Sequence, residues 1–216
     1  MTVVSPDRDN ERGAALLLAL VAAALVTAIA TTMALSSSTD LLITGSNRAS
    51  LEAMYAAEAA AQRAIAELAQ MGNWSDALLA PPANTVASFD DGVGATLAPD
   101  GRRLVMAALS TSRQAMSSIA YGPAVFGADS PAWRLFGHAT LRALVPAGVA
   151  TAPAYVLVWV ADDGFDGDGN VEHDANGQLL VRAEAYGVSG AHRTVELTVE
   201  RVTPGTVRVL STKDPR

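Results

Sequence analysis

Arg12-Gly13-Ala14-Ala15-Leu16-Leu17-Leu18 opens a stretch that runs without proline to Met71-Gly72-Asn73. From Ala14 to Leu35, 22 residues, nothing is charged, and the first charge beyond is Asp40. At about 1.5 Å per residue in a helix, that length crosses the hydrocarbon core of a bilayer. The second half of the stretch differs in kind. Leu51, Met54, Ala57, Ala61, Ile65 and Leu68 recur at steps of three and four, with Glu52, Glu58, Arg63 and Glu67 among them. That spacing predicts one apolar face on an amphipathic helix. The whole reads as one helix over 14–72, on the order of 85 Å long, with residues 14–35 spanning a membrane.

The flanks refine this reading. Met1 to Gly13 carries Asp7, Arg8, Asp9, Glu11 and Arg12, and its arginines place it on the cytoplasmic side, since acids count little in topology. An ordinary secretory signal, with a cleavage motif at Ala28-Ile29-Ala30 and a new terminus at Thr31, fits the same apolar run, as does an uncleaved signal anchor. Neither needs the long amphipathic sequel. Within the helix, Ser36-Ser37-Ser38-Thr39 and Gly45-Ser46-Asn47 are the weakest places: their side chains offer the backbone other hydrogen bonds, and glycine costs about 1 kcal/mol against alanine. They mark either a point where the helix loosens or simply the wet edge of the membrane. Glu58 is either a polar packing contact or a solvated charge.

A hydrophilic leader ending in glycine, followed at once by a long apolar helix, resembles the class III signal of type IV pilins and type II secretion pseudopilins. Arg12-Gly13-Ala14-Ala15-Leu16 and Ala56-Ala57-Glu58-Ala59, in that order, are similar to the amino-terminal pattern of PilX-type minor pilins; the likeness covers roughly residues 11 to 68. Major pilins carry glutamate as the fifth residue after cleavage, and here that position is Leu18. Some minor subunits, including those similar to the tip pseudopilin GspK, lack it too. The resemblance implies a prepilin leader (1–13) cut between Gly13 and Ala14 by a prepilin peptidase. It also implies a pilin-like α+β fold, its long amino-terminal helix lying on a carboxy-terminal antiparallel sheet. The implied partners are other major and minor pilins, met through the helix, and the inner-membrane assembly platform. The implied place is the inner membrane before assembly, with the domain periplasmic, and the pilus or cell surface after it.

Composition sets bounds on the rest. The 216 residues suffice for one modest domain beside the helix. There is no cysteine to staple a secreted domain. A net charge of −7 argues against nucleic acid as a partner. Fourteen arginines against one lysine, with the alanine excess, read as coding bias without mechanism.

Gly72-Asn73 caps the helix and Pro81-Pro82 stops its resumption. Residues 73–100 are rich in turn formers, and prolines and glycines break the chain repeatedly between Pro123 and Pro153. Leu104-Val105-Met106 suits a strand, and Ala107 to Ile119 a short helix. Tyr155–Val160, Gln178–Gly187 and Arg193–Val202 read as strands, the last two alternating and joined by a turn at Gly187-Val188-Ser189-Gly190. They predict an antiparallel sheet with one buried and one wet face, in a domain over 73–210 with a loose tail at 211–216.

Between the first two of these strands lies an acidic loop, Asp162 to Gly177, with six carboxylates in thirteen residues and no lysine or arginine. Oxygen ligands at alternate positions, with glycines to allow tight wrapping, suit Ca²⁺. The expected ligands are drawn from Asp162, Asp163, Asp166, Asp168, Asn170 and Asp174. Asp166, Asp168 and Asn170 begin like an EF-hand, but Val171 stands where glycine is needed and Gly177 where the bidentate glutamate is needed. The bland alternative is a solvated turn.

No catalytic constellation emerges. His138, His173 and His192 lack zinc-ligand spacing. Gly187-Val188-Ser189-Gly190-Ala191 misses the last glycine of a nucleophile elbow. Glu184, Glu196 and Glu200 read as solvated charges on wet strand faces. Two functions stand: a minor pilin or pseudopilin without enzymatic activity, or a signal-anchored or secreted periplasmic binding module or enzyme.

Overall fold

The computed structural model describes residues 8–79, 87–149 and 152–215. Helix α1 spans Arg8–Gln70, α2 Ser75–Leu78, β1 Ala95–Leu97, β2 Arg103–Val105, α3 Met106–Ala120 and α4 Pro123–Phe126. After them come β3 Arg134–Thr140, α5 Leu141–Leu144, β4 Tyr155–Asp162, β5 Gln178–Tyr186, β6 His192–Thr203 and β7 Thr206–Lys213. The five strands β3 to β7 form one antiparallel sheet in sequence order, and β1 and β2 form a separate hairpin. The protein is α+β, its long amino-terminal helix packed through its second half on that sheet. Two compact units divide at Asn47 and Arg48.

The first unit, described from Arg8, is the apolar half of α1. Every residue from 13 to 48 is exposed, and the stretch is long and apolar enough to cross a membrane. Several of its hydroxyls bond back to the preceding turn of the helix. Thr27 donates to the Ala23 carbonyl at 2.8 Å, Thr32 to Ala28 at 2.8 Å, Ser38 to Ala34 at 2.9 Å and Thr39 to Leu35 at 3.0 Å. Between Ala14 and Leu35 all three threonines, Thr27, Thr31 and Thr32, are bonded in this way, as hydrocarbon requires. Ser36–Thr39 stays helical, with Ser38 and Thr39 bonded back to the preceding turn.

In the second unit, α1 buries Ala49, Ala53, Ala56, Ala57, Ala60, Ala61, Ala64 and Leu68. Of the expected face, Ala57, Ala61 and Leu68 are buried and Met54 and Ile65 pack against the core, while Leu51 is 57% exposed and neighbouring alanines widen the face into an alanine-rich stripe. Alanine lets the helix backbone come close to the sheet. Val156, Val158 and Val160 of β4 meet it, with Leu179, Val181, Ala183 and Ala185 of β5 and Val195, Leu197 and Val199 of β6. The helix ends under Trp74, whose indole donates to the Leu68 carbonyl at 2.8 Å, while Arg201 donates to the Gly72 carbonyl at 3.1 Å and lies over the Trp74 ring. Asn73 accepts from the Ser75 amide at 3.2 Å and so starts α2. Pro81-Pro82 lies outside the described residues.

The opposite face of the sheet is not wet, contrary to expectation. Tyr155, Leu157, Trp159 and Ala161 of β4 and Leu180 and Tyr186 of β5 form a second core with Leu104, Met106 and Trp133. Every residue of β4 is buried, as a strand between two layers requires. The strand and helix expected after Arg102 are β2 and α3, and they supply this cover. The tail expected to be loose from 211 is instead strand as far as Lys213, because it pairs with β6 from Thr206 onward.

Candidate functional site

Two groups of buried acids stand on this sheet. The first lies under α3. Glu184, fully buried on β5, accepts from Arg113 Nη2 at 2.6 Å, Arg182 Nε at 3.0 Å and the Tyr186 hydroxyl at 3.0 Å, and faces His192 Nε2 at 3.0 Å. Glu196 on β6 accepts from Arg182 Nη1 at 3.1 Å and the Tyr121 hydroxyl at 2.7 Å, which in turn accepts from Lys213 Nζ at 3.1 Å. Burial alone would raise the Glu184 carboxyl. The His192 hydrogen bond and the Arg113 and Arg182 charges outweigh it, so Glu184 lies below its ordinary value. The group opens into a cleft of about 950 Å³ lined by Arg113, Tyr121, Arg182, His192, Glu196 and Lys213 among others. Glu184 and Glu196 are thus not solvated charges, as expected from the alternation of their strands. Only the cover supplied by α3 reveals them, and no local sequence signal could have done so.

The second group is the acidic loop after β4, and the structure sorts its expected ligands into two kinds. Asp163, Asn170 and Asp174 do turn work. Asp163 accepts from the Asn176 amide group at 2.8 Å, Asn170 from the Glu172 backbone at 3.2 Å, and Asp174 from the Gly177 and Gln178 amides at 2.7 and 3.2 Å. Asp166 and Asp168 gather with Asp129 instead, and Asp162 lies beside Asp166. Oxygens of Asp166 and Asp168 and of Asp129, from the turn after α4, lie within 4.8 Å of one another. The Asp162 carboxyl lies against that of Asp166; burial first, then that neighbouring charge, pushes it up to about 8. The Asp163 amide eases it slightly, but neither Asp162 oxygen has a hydrogen-bond partner of normal geometry. Asp168 is the exception in the group. His173 at 2.5 Å and the Asn170 amide at 2.8 Å hold it below its ordinary value.

The remaining motifs are occupied structurally. His138 is buried, with Nε2 3.1 Å from Asp90 and Nδ1 2.9 Å from both Asp91 and the Tyr155 hydroxyl. Each of the three histidines therefore ends on a carboxylate. Glu58 is exposed, and no hydrogen bond or ion pair reaches it among the described residues. Gly13 and Ala14 lie exposed inside α1. A Cβ at Gly13 would meet nothing within 4 Å, and its backbone is not left-handed, so the fold itself does not require glycine there; Gly45 is alike in this. The chain matches no protein-family model, no curated protein and no solved structure.

Proposed function

We propose that this chain is a minor pilin or pseudopilin, a structural subunit that takes part in assembly or initiation of a type IV pilus or related secretion fibre. The observation that carries the reading is the division of labour within α1. One half exposes an uncharged apolar run from Ala14 to Leu35 whose threonines bond back to the helix, while the other lies by an alanine-rich face on a five-stranded antiparallel sheet. An exposed apolar rod of that length is unfavourable in water and needs lipid or neighbouring helices around it. A single-pass anchor in the inner membrane, later transferred into a bundle of pilin helices, meets both needs. In this reading the partners are other major and minor pilins, the assembly platform and a prepilin peptidase.

The glycine at position 13 supports the processing step, because nothing within the fold asks for it. The test is sequencing of the mature amino terminus from purified membranes. Cleavage between Gly13 and Ala14 is expected, and replacing Gly13 by a bulky residue should leave a longer form. A terminus at Thr31, or normal maturation of the variant, would instead favour an exported periplasmic protein.

Leu18 refines the position in the fibre. In a bundle of apolar helices, a buried carboxylate is tolerated when it pairs with a neighbour's free amino terminus. With leucine there, this chain offers its own amine at Ala14 but accepts none, which suits one end of a stack. Labelling of intact fibres should find it at or near one end; regular spacing along the shaft, at the abundance of the main subunit, would overturn the placement.

A further inference from the structure

We propose that Asp129, Asp162, Asp166 and Asp168 bind one Ca²⁺ that ties the loop after β4 to the turn after α4. The loop alone would not carry this, since Asp and Gly are common in solvated turns. The decisive observation is Asp162. It is 1% exposed, neither of its oxygens has a hydrogen-bond partner of normal geometry, and its neighbour is the Asp166 carboxyl of the cluster. Asp129 Oδ1 and Asp166 Oδ1 are also buried without partners. Buried carboxylate oxygens are ordinarily hydrogen-bonded or metal-bound, and no arginine or lysine is among the groups acting on Asp162. A cation is the missing partner.

Asp129 comes from a different segment, 33 positions before Asp162, and the chain is shaped to bring it in. A Cβ at Gly164 would stand 2.4 Å from Phe126 and 3.0 Å from the Asp129 carbonyl oxygen, so only glycine permits this approach. The Phe126 and Phe165 rings meet edge-on at 5.2 Å beside it. Gly167 and Gly169 take left-handed backbone, with φ of +70° and +75°, to turn the loop between its acids. The ligand class follows from the donors. Four carboxylates without thiolate are hard ligands; their number and the irregular loop suit the six to eight oxygens and flexible geometry of Ca²⁺ better than the strict octahedron of Mg²⁺. Asn170 and Asp174, expected as ligands, are left to the turn.

The test uses the full chain in detergent, melted in millimolar CaCl₂, in millimolar MgCl₂ and in chelator. Calcium should raise the melting temperature by about 5–10 °C over chelator, and magnesium should not. Asp129→Asn should weaken calcium binding by about tenfold or more. Asp162→Asn should lose the calcium response yet melt, in chelator, no lower than the wild type, because it removes a buried carboxyl without a hydrogen-bond partner of normal geometry. Identical wild-type melting in calcium and chelator overturns the site. So does Asp129→Asn binding calcium as tightly as the wild type, or Asp162→Asn melting well below it in chelator. An equal response to magnesium overturns the assignment to Ca²⁺.

Discussion

Glu184 and Asp162 are both buried carboxylates, on the adjacent strands β5 and β4, yet their surroundings are opposite. Glu184 has two guanidinium groups, a phenol and an imidazole around it. Asp162 has other acids. One is held below its ordinary titration range and the other is pushed up to about 8, although both belong to the same sheet. Burial pushes both acids up; the neighbouring charges, cationic beside Glu184 and acidic beside Asp162, decide whether that push is outweighed or added to. The first group is complete as a structural lock between α3 and the sheet. The second is incomplete until a cation joins it.

The largest expected effect comes from breaking the complete group. Arg113→Met leaves Glu184 with one guanidinium where it had two, and should cost about 3 kcal/mol in chemical denaturation, because the cost of a buried pair falls on the partner left behind. A loss under about 1 kcal/mol would mean the pair is wetter than its burial indicates. Next in size, and opposite in sign, Asp162→Asn measured in chelator should gain about 1–2 kcal/mol by removing a buried carboxyl that burial and the Asp166 charge disfavour. With calcium in hundredfold excess over Kd the order reverses, since the wild type alone gains about 2.7 kcal/mol. If both substitutions destabilised alike in chelator, the contrast between the groups would fail.

The smallest effect is in pH. Glu184 titrates below its ordinary 4.5 in the folded chain, so between the two values the unfolded chain binds the extra proton. Its contribution is present above pH 4.5 and is lost as pH falls through the depressed value. Stability should decline on acidification below about pH 4.5, and Glu184→Gln should flatten that decline. Denaturant midpoints across acid pH measure it; an unchanged slope in the variant would assign the decline to other carboxylates.

What was legible in the sequence is what local periodicity encodes. The uncharged run from Ala14, the amphipathic continuation, the alternation in Gln178–Gly187 and Arg193–Val202, and the turn between them all specify elements within a few neighbours. The helix, the three central strands and the position of the acidic loop followed from these patterns. What covers the second face of the sheet was decided elsewhere. The expected helix face held except at Leu51, and the alanines beside it were added because close approach to the sheet favours small side chains. Glu184 became buried because α3, carrying Arg113 from 71 positions away, covers a strand face whose alternation reads as solvated. Asp129 joined Asp162 because Gly164 lets two distant turns touch. Such contacts have no local period to read. They depend on segments that meet only once the sheet has formed, so the chain alone specified the elements and the tertiary structure chose their partners.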